Sequence, residues 1–186
     1  MSTAGVRRRF TVKDYHKMAL IGILQEDDRV ELLEGEVVEM AAIGSRHAAC
    51  VGRVNQVFSE RLRRRAIVRV QDPIRLGEFS EPQPDLALVR PRSDFYASFH
   101  PGPQDVLLLV EVADTSEDYD RDVKIPLYAK WGTLEVWLVD LAGDAIEVYR
   151  GPTPNGYQEV RRVGRNEHLS IQSFPDIVLA TEEILG

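Results

Sequence analysis

The stretch Val106 to Ala113, VLLLVEVA, limits what this chain can fold into more than any other. A strand with one face in water keeps one alternation polar, whereas here both alternations are apolar, as in a central strand covered on both sides. Val106 to Val110 is the longest apolar run and falls far short of the roughly 20 residues of a membrane helix. Glu111 is the exception inside the stretch. An ionised carboxylate in a buried strand is costly unless it is paired or binds a cation, so Glu111 requires a partner.

The flanking patterns supply the rest of a sheet. AIVRVQDPIRL and PDLALV read as two strands before the central one, LEVWLVD, AIEVYR and YQEVRRV as strands after it, with a turn at Ala142-Gly143. A strand is expected near Leu169 to Ile171, and a short end around Asp176 to Leu179. RVELLEGEVVEM reads as a hairpin turning at Glu34-Gly35. Thr11 with Asp14 marks the start of a first helix, expected to end near Leu24. Ser45 is expected to cap a second, with Ala48, Val51, Asn55, Phe58 and Leu62 on one face. A third is expected from about Asp122 to Trp131, ended by Gly132. Pro126 is tolerable there only in the first turn, which puts Lys124 at the helix start. The class is α+β, a mixed central sheet flanked by helices and extended by C-terminal strands.

At 186 residues, with 44% hydrophobic and 28% charged residues and no biased linker, a single domain over residues 1–186 is expected. The N-terminus has no signal-peptide core, and the lone Cys50 suits a reducing compartment and core packing, so a soluble, cytoplasmic protein is expected. A net charge of −7 argues against a strong non-specific grip on nucleic acid. Two basic clusters stand against that background: Arg7, Arg8 and Arg9 before the first helix, and Arg61, Arg63, Arg64 and Arg65 closing the second. Solvated ends and a helix C-terminal dipole are the favoured account of both, and neither cluster decides anything by itself.

Asp85 opens the strand DLALV directly after Pro84. If that strand neighbours VLLLVEV, Asp85 and Glu111 point into one pocket, where a divalent metal would relieve their repulsion. All-oxygen ligation suits Mg²⁺ or Mn²⁺. Lys124 follows Glu111 by a loop and half a helical turn and could return to the same pocket. The plainer alternatives are loop-edge or helix-capping carboxylates, and a surface lysine in an acidic helix start.

VELLEGEVVEM, Gly44 to His47, EPQPDLALV and LLVEVADTSEDYDRDVKIPLYAKWGTLEVWLVD together closely resemble the Uma-two family of endonuclease-related proteins, through most of the chain from Phe10 to Tyr149. The resemblance implies a restriction-endonuclease-like PD-(D/E)XK fold, with Asp85 as the motif aspartate and Glu111 as the second acid. Ala113 stands where the simplest motif has lysine, and Lys124 is the position that matches the family's displaced lysine. Glu31 matches the acidic residue of the early hairpin, a further metal or water ligand or else a solvent-facing strand residue. Gln71 is placed to reach the same pocket. His47 would touch a phosphate or position water, or else cap or pack. Asp120 and Tyr128, four residues either side of Lys124, would stack with it on a continuous helix and orient it, unless Asp120 instead caps the helix. Trp131 and Trp137 read as core or edge packing.

The resulting expectation is metal-assisted phosphodiester hydrolysis, with Asp85 and Glu111 holding Mg²⁺ and Lys124 orienting water or stabilising developing charge. DNA ahead of RNA as substrate, and self-association as a homodimer, are implied by the resemblance alone. A catalytically silent binding or scaffold module, favoured by Ala113 and the negative charge, is the alternative from another class. Hydrolysis of a different phosphate ester is a third.

Overall fold

The computed structural model describes residues 8–25, 27–114 and 119–186. Arg7 and part of the polar stretch before Asp122 lie outside them. A six-stranded sheet organises the chain, in the order β3 (Ile67–Val70), β4 (Leu86–Val89), β5 (Val106–Ala113), β6 (Glu135–Asp140), β7 (Ala145–Thr153) and β8 (Gly156–Gly164). Only β5 and β6 run parallel. The sheet is therefore mixed, and β5 lies inside it with every residue buried.

The two alternations of β5 face different cores. Leu108, Val110 and Val112 join Trp137 and Val139 against Cys50, Val54, Phe58 and Leu62 of α2 (Ser45–Leu62). Leu109 and Ala113 join Val136 and Leu138 against Ile125, Leu127 and Tyr128 of α3 (Ile125–Lys130). The face of α2 is rotated from expectation: Ala48 is exposed, Asn55 half-buried, and Val54 takes the centre. Its N-cap is Gly44 rather than Ser45, one residue early and without a side-chain bond.

The helix α1 (Val12–Leu20) begins as foreseen, with Thr11 and Asp14 forming a reciprocal capping box. It stops four residues before Leu24. Gly22 takes φ +75, Gly22 N–H donates to Ala19 O (3.1 Å) and Ile23 N–H to Met18 O (2.8 Å). That is a Schellman termination, which glycine permits despite the apolar residues beyond it. The hairpin of β1 (Val30–Leu33) and β2 (Glu36–Glu39) turns through Glu34 and Gly35, both at positive φ, which matches the right-handed twist of its strands.

Before α3 the chain makes a π-helical turn, Asp120–Lys124, in which Ile125 N–H donates to Asp120 O. A proline ring clashes with the carbonyl four residues earlier in a regular helix, and the widened turn lets Pro126 continue the helical path. The expected helix from Asp122 is thus an α-helix with a wider start. The C-terminal hairpin, β9 (His168–Ile171) and β10 (Phe174–Ala180), closes the α2 face with α4 (Glu182–Leu185), a helix the sequence did not reveal. Arg61 pairs with Glu183 (2.7 Å) and Arg65 with Asp176 (2.5 Å), so two arginines of the second cluster tie α2 to this C-terminal layer. No described helix is long and apolar enough to cross a membrane.

Candidate active site

The antiparallel register pairs Leu86 with Val110, which sets Asp85, one residue before β4, beside Glu111 and Val112. The contact is direct: Val112 N–H donates to Asp85 Oδ2 at 2.9 Å. His47, on the first turn of α2, places Nε2 2.9 Å from the same oxygen. Gln71 Nε2 donates to Asp85 Oδ1 at 3.3 Å. Gln71 sits at φ +52, ending β3, and its N–H binds Asp85 O (3.0 Å), so it supports Asp85 from behind.

Glu111 is 2% exposed and Lys124 4% exposed. Lys124 Nζ lies 2.8 Å from Glu111 Oε1 and 3.7 Å from Glu31 Oε2. The surface-lysine alternative is therefore overturned: the crossover between parallel β5 and β6 brings Lys124 back over the strand that carries Glu111. Tyr128 OH donates to Glu111 Oε1 at 2.5 Å, so Tyr128 holds the acid rather than stacking against Lys124. Glu31 is buried, not solvent-facing, and accepts from Gln83 N–H at 3.0 Å. Asp120 is buried in the π turn, whose N-cap is Tyr119, so it is not the helix cap.

These residues share one cavity of about 460 Å³, lined by Glu31, His47, Asp85, Glu111, Asp120 and Lys124, with Arg29, Asp114, Tyr119 and the segment from Glu39 to Gly44 forming other parts of its wall. Arg29, Asp114 and Tyr119 were not singled out from sequence. Arg29 precedes the hairpin and its carbonyl accepts from Met40 N–H, a pairing that the symmetric ends of RVELLEGEVVEM could have suggested.

Carboxylates outnumber cations in this cavity, and the proton equilibria follow. Burial pushes Glu111 up to about 8, Asp120 and Asp85 acting in the same direction and Lys124 against it. Burial opposes the charge on Lys124, yet Glu111, Glu31 and Asp120 outweigh it and hold the ammonium charged. Burial also acts to raise Asp85, but the hydrogen bond and charge of His47, the Val112 N–H and Lys124 bring it below the ordinary range. The bond to Asp85 raises His47. A group such as Glu111 that binds a proton this tightly reports missing positive charge, which a divalent cation supplies. An oxygen-only donor set of one or two carboxylates completed by water suits a hard divalent cation.

A crystal structure from Anabaena variabilis ATCC 29413, described as "a putative nuclease belonging to DUF820", matches with a TM-score of 0.75 at 20% identity, covering 95% of this chain and 97% of that one. At that identity the likeness shows the fold, which is restriction-endonuclease-like. No curated protein matches the chain. The model of the Uma2 family, described as "Putative restriction endonuclease", matches residues 12–182. Since that match runs from the first residue of α1 to the first of α4, the chain belongs to the Uma2 family.

Proposed function

We propose that this chain is a divalent-metal-dependent nuclease acting on phosphodiester bonds, with DNA the substrate ahead of RNA. The observation that carries the reading is the buried Lys124 ammonium 2.8 Å from Glu111, on the wall of the cavity that also holds Asp85. Family membership supports the nuclease reading, and the DNA preference follows the family's description as restriction endonucleases. Asp85 and Glu111 would hold Mg²⁺, which supplies Lewis acidity when bound.

The remaining residues have separable tasks. Lys124, kept charged by its acidic surroundings, offers N–H donors and positive charge where a phosphoryl oxygen or an attacking water would sit. Tyr128 fixes the Glu111 carboxylate, and His47, Gln71 and the Val112 N–H fix Asp85. Arg29 is a further cation of the cavity wall and His47 a further N–H donor when protonated, both suited to a phosphate. Glu31 and Asp120 maintain the charge on Lys124.

One observation favours a second reading, a silent binding module. The carboxylates of Asp85 and Glu111 are already engaged by donors of the protein itself. Incubation of plasmid, single-stranded DNA and RNA with wild type and Asp85→Ala, in Mg²⁺ or Mn²⁺ and in EDTA, separates the two. Metal-dependent cleavage by wild type and none by Asp85→Ala is expected. Absence of cleavage of all three by wild type would leave the binding module.

A further inference from the structure

His16 on α1, Glu81 in the segment between β3 and β4, and His100 in the loop before β5 come from separate parts of the chain, yet each offers one ligand atom within 4.8 Å of the others. Glu81 is 3% exposed. His16 Nε2 lies 2.6 Å from Glu81 Oε1, while Glu81 Oε2 is buried with no hydrogen-bond partner among the described residues. A buried carboxylate oxygen without a partner is costly, and native structures ordinarily satisfy such atoms with protein, water or an ion. The two imidazole rings stand nearly edge to face, their centroids 6.4 Å apart at 77°. This group is distinct from the cavity around Asp85, none of whose lining residues it includes.

We propose that His16, Glu81 and His100 bind a late first-row divalent cation, with Zn²⁺ the best match. Two imidazoles and one carboxylate form a borderline donor set that favours Zn²⁺ over the hard Mg²⁺, and three protein ligands leave a fourth tetrahedral position to water. Bonds of about 2.0–2.2 Å place tetrahedral ligand atoms about 3.4 Å apart. The 2.6 Å His16–Glu81 contact therefore opens slightly, and the other separations, none above 4.8 Å, close by at most about 1.4 Å. His16 has a side chain 52% exposed, which gives the ion a path from solvent and the ring freedom to move.

The site is a brace. Glu81 N–H binds Leu32 O (2.7 Å) and Val12 N–H binds Glu78 O (2.8 Å), so this segment already joins α1 to the β1 hairpin. A cation at Glu81 would add the loop carrying His100 and restrain the residues leading into Gln83 and Asp85. The joint tightened by Zn²⁺ thus lies behind the nuclease cavity rather than in it.

The test uses the full chain stripped with EDTA and dialysed free of it, titrated with Zn²⁺ by calorimetry and with Co²⁺ by visible absorption. Asp85→Ala, in which the Mg²⁺ cavity is disabled, should still bind one Zn²⁺, show the intense d–d bands of a tetrahedral Co²⁺ site, and melt about 5 °C higher at a free Zn²⁺ a hundredfold above Kd. In that background His16→Ala and His100→Ala should each weaken binding by about tenfold or more. Mg²⁺ should not displace the bound Co²⁺. Because His16 is largely exposed, its variant should fold normally and carries the test even if Glu81→Gln does not fold. Failure of Asp85→Ala to bind Zn²⁺ below about 100 µM would reduce the cluster to a His16–Glu81 ion pair and overturn the proposal. Binding that survives both histidine substitutions in that background would overturn it equally.

Discussion

Replacing Glu111 with glutamine should strengthen the metal-free fold at alkaline pH and leave it nearly unchanged at acid pH, while abolishing cleavage. Burial, aided by Asp120 and Asp85 and opposed by Lys124, raises Glu111 from 4.5 to about 8. A carboxyl raised in this way keeps its proton in the folded chain and loses it in the unfolded one. Its contribution to stability is therefore complete below pH 4.5 and is lost as pH rises through about 8. Each pH unit between those limits is worth about 1.4 kcal/mol, so the penalty above the upper limit is about 5 kcal/mol. Glutamine has no such proton to lose, and its amide oxygen can accept from Lys124 Nζ as the neutral carboxyl does. In EDTA the variant should lie within about 1 kcal/mol of wild type near pH 5 and be more stable by about 4 kcal/mol near pH 8.5. Urea unfolding followed by fluorescence reads this directly, since Trp137 is fully buried. A loss of about 3 kcal/mol or more at both pH values, the usual result of orphaning a structural ion-pair partner, would refute the reasoning.

Lys124→Met should lower cleavage by about 10² or more with metal affinity retained, and because Lys124 is 4% exposed it should also cost about 3 kcal/mol of stability. Turnover within about threefold of wild type, measured well below both melting midpoints, would remove Lys124 from the chemistry. In EDTA, NMR should find the His47 imidazole titrating above its ordinary 6.5, because Asp85 holds the protonated ring, and Asp85→Asn should lower it as burial becomes the dominant influence. An unchanged titration would show that the His47–Asp85 contact does not form in solution. Gly77→Ala should cost about 2 kcal/mol or more, since Gly77 has φ +73 and an added Cβ would lie 2.1 Å from a Trp131 ring carbon. A cost under about 0.5 kcal/mol would show that this turn repacks freely.

The parts of the site that were legible in sequence are those where a residue contradicts its surroundings. Glu111 inside VLLLVEVA could not be an ordinary strand residue, and Asp85 between Pro84 and an apolar strand drew attention for the same reason. Lys124 and its partner relationships were less readable, because its burial depends on a crossover that returns over β5 and on a widened turn that local propensity does not announce. Long-range pairings were hardest. Arg61 and Arg65 resembled part of a nucleic-acid footprint because their partners Glu183 and Asp176 lie more than a hundred residues away. Sequence distance from Asp85 and Glu111 also concealed Arg29, whereas Tyr119, close to Lys124 in the chain, has nothing in its own segment that marks it as part of the cavity wall. The end of α1 was misjudged because Ile23 and Leu24 continue the apolar pattern, although Gly22 had the conformational freedom to stop it.

The π turn before α3 acts as a phase setting. An α-helix rotates about 100° per residue, so a chain that holds one more residue in a turn aims everything upstream about 100° differently from a chain that does not. Asp120–Lys124 is such a turn, and with it Lys124 faces Glu111 while Tyr128, a few residues on, reaches the same carboxylate. A lysine two residues after Glu111 on β5 would be aimed by strand pleat alone and would occupy the place where Ala113 packs in the core. Moving the ammonium to the crossover leaves that core apolar and leaves its acidic surroundings to the length of a single turn. Deletion of one residue from Arg121 to Val123 would keep Lys124 and Tyr128 four residues apart at α3, yet it would turn Asp120 away from the lysine.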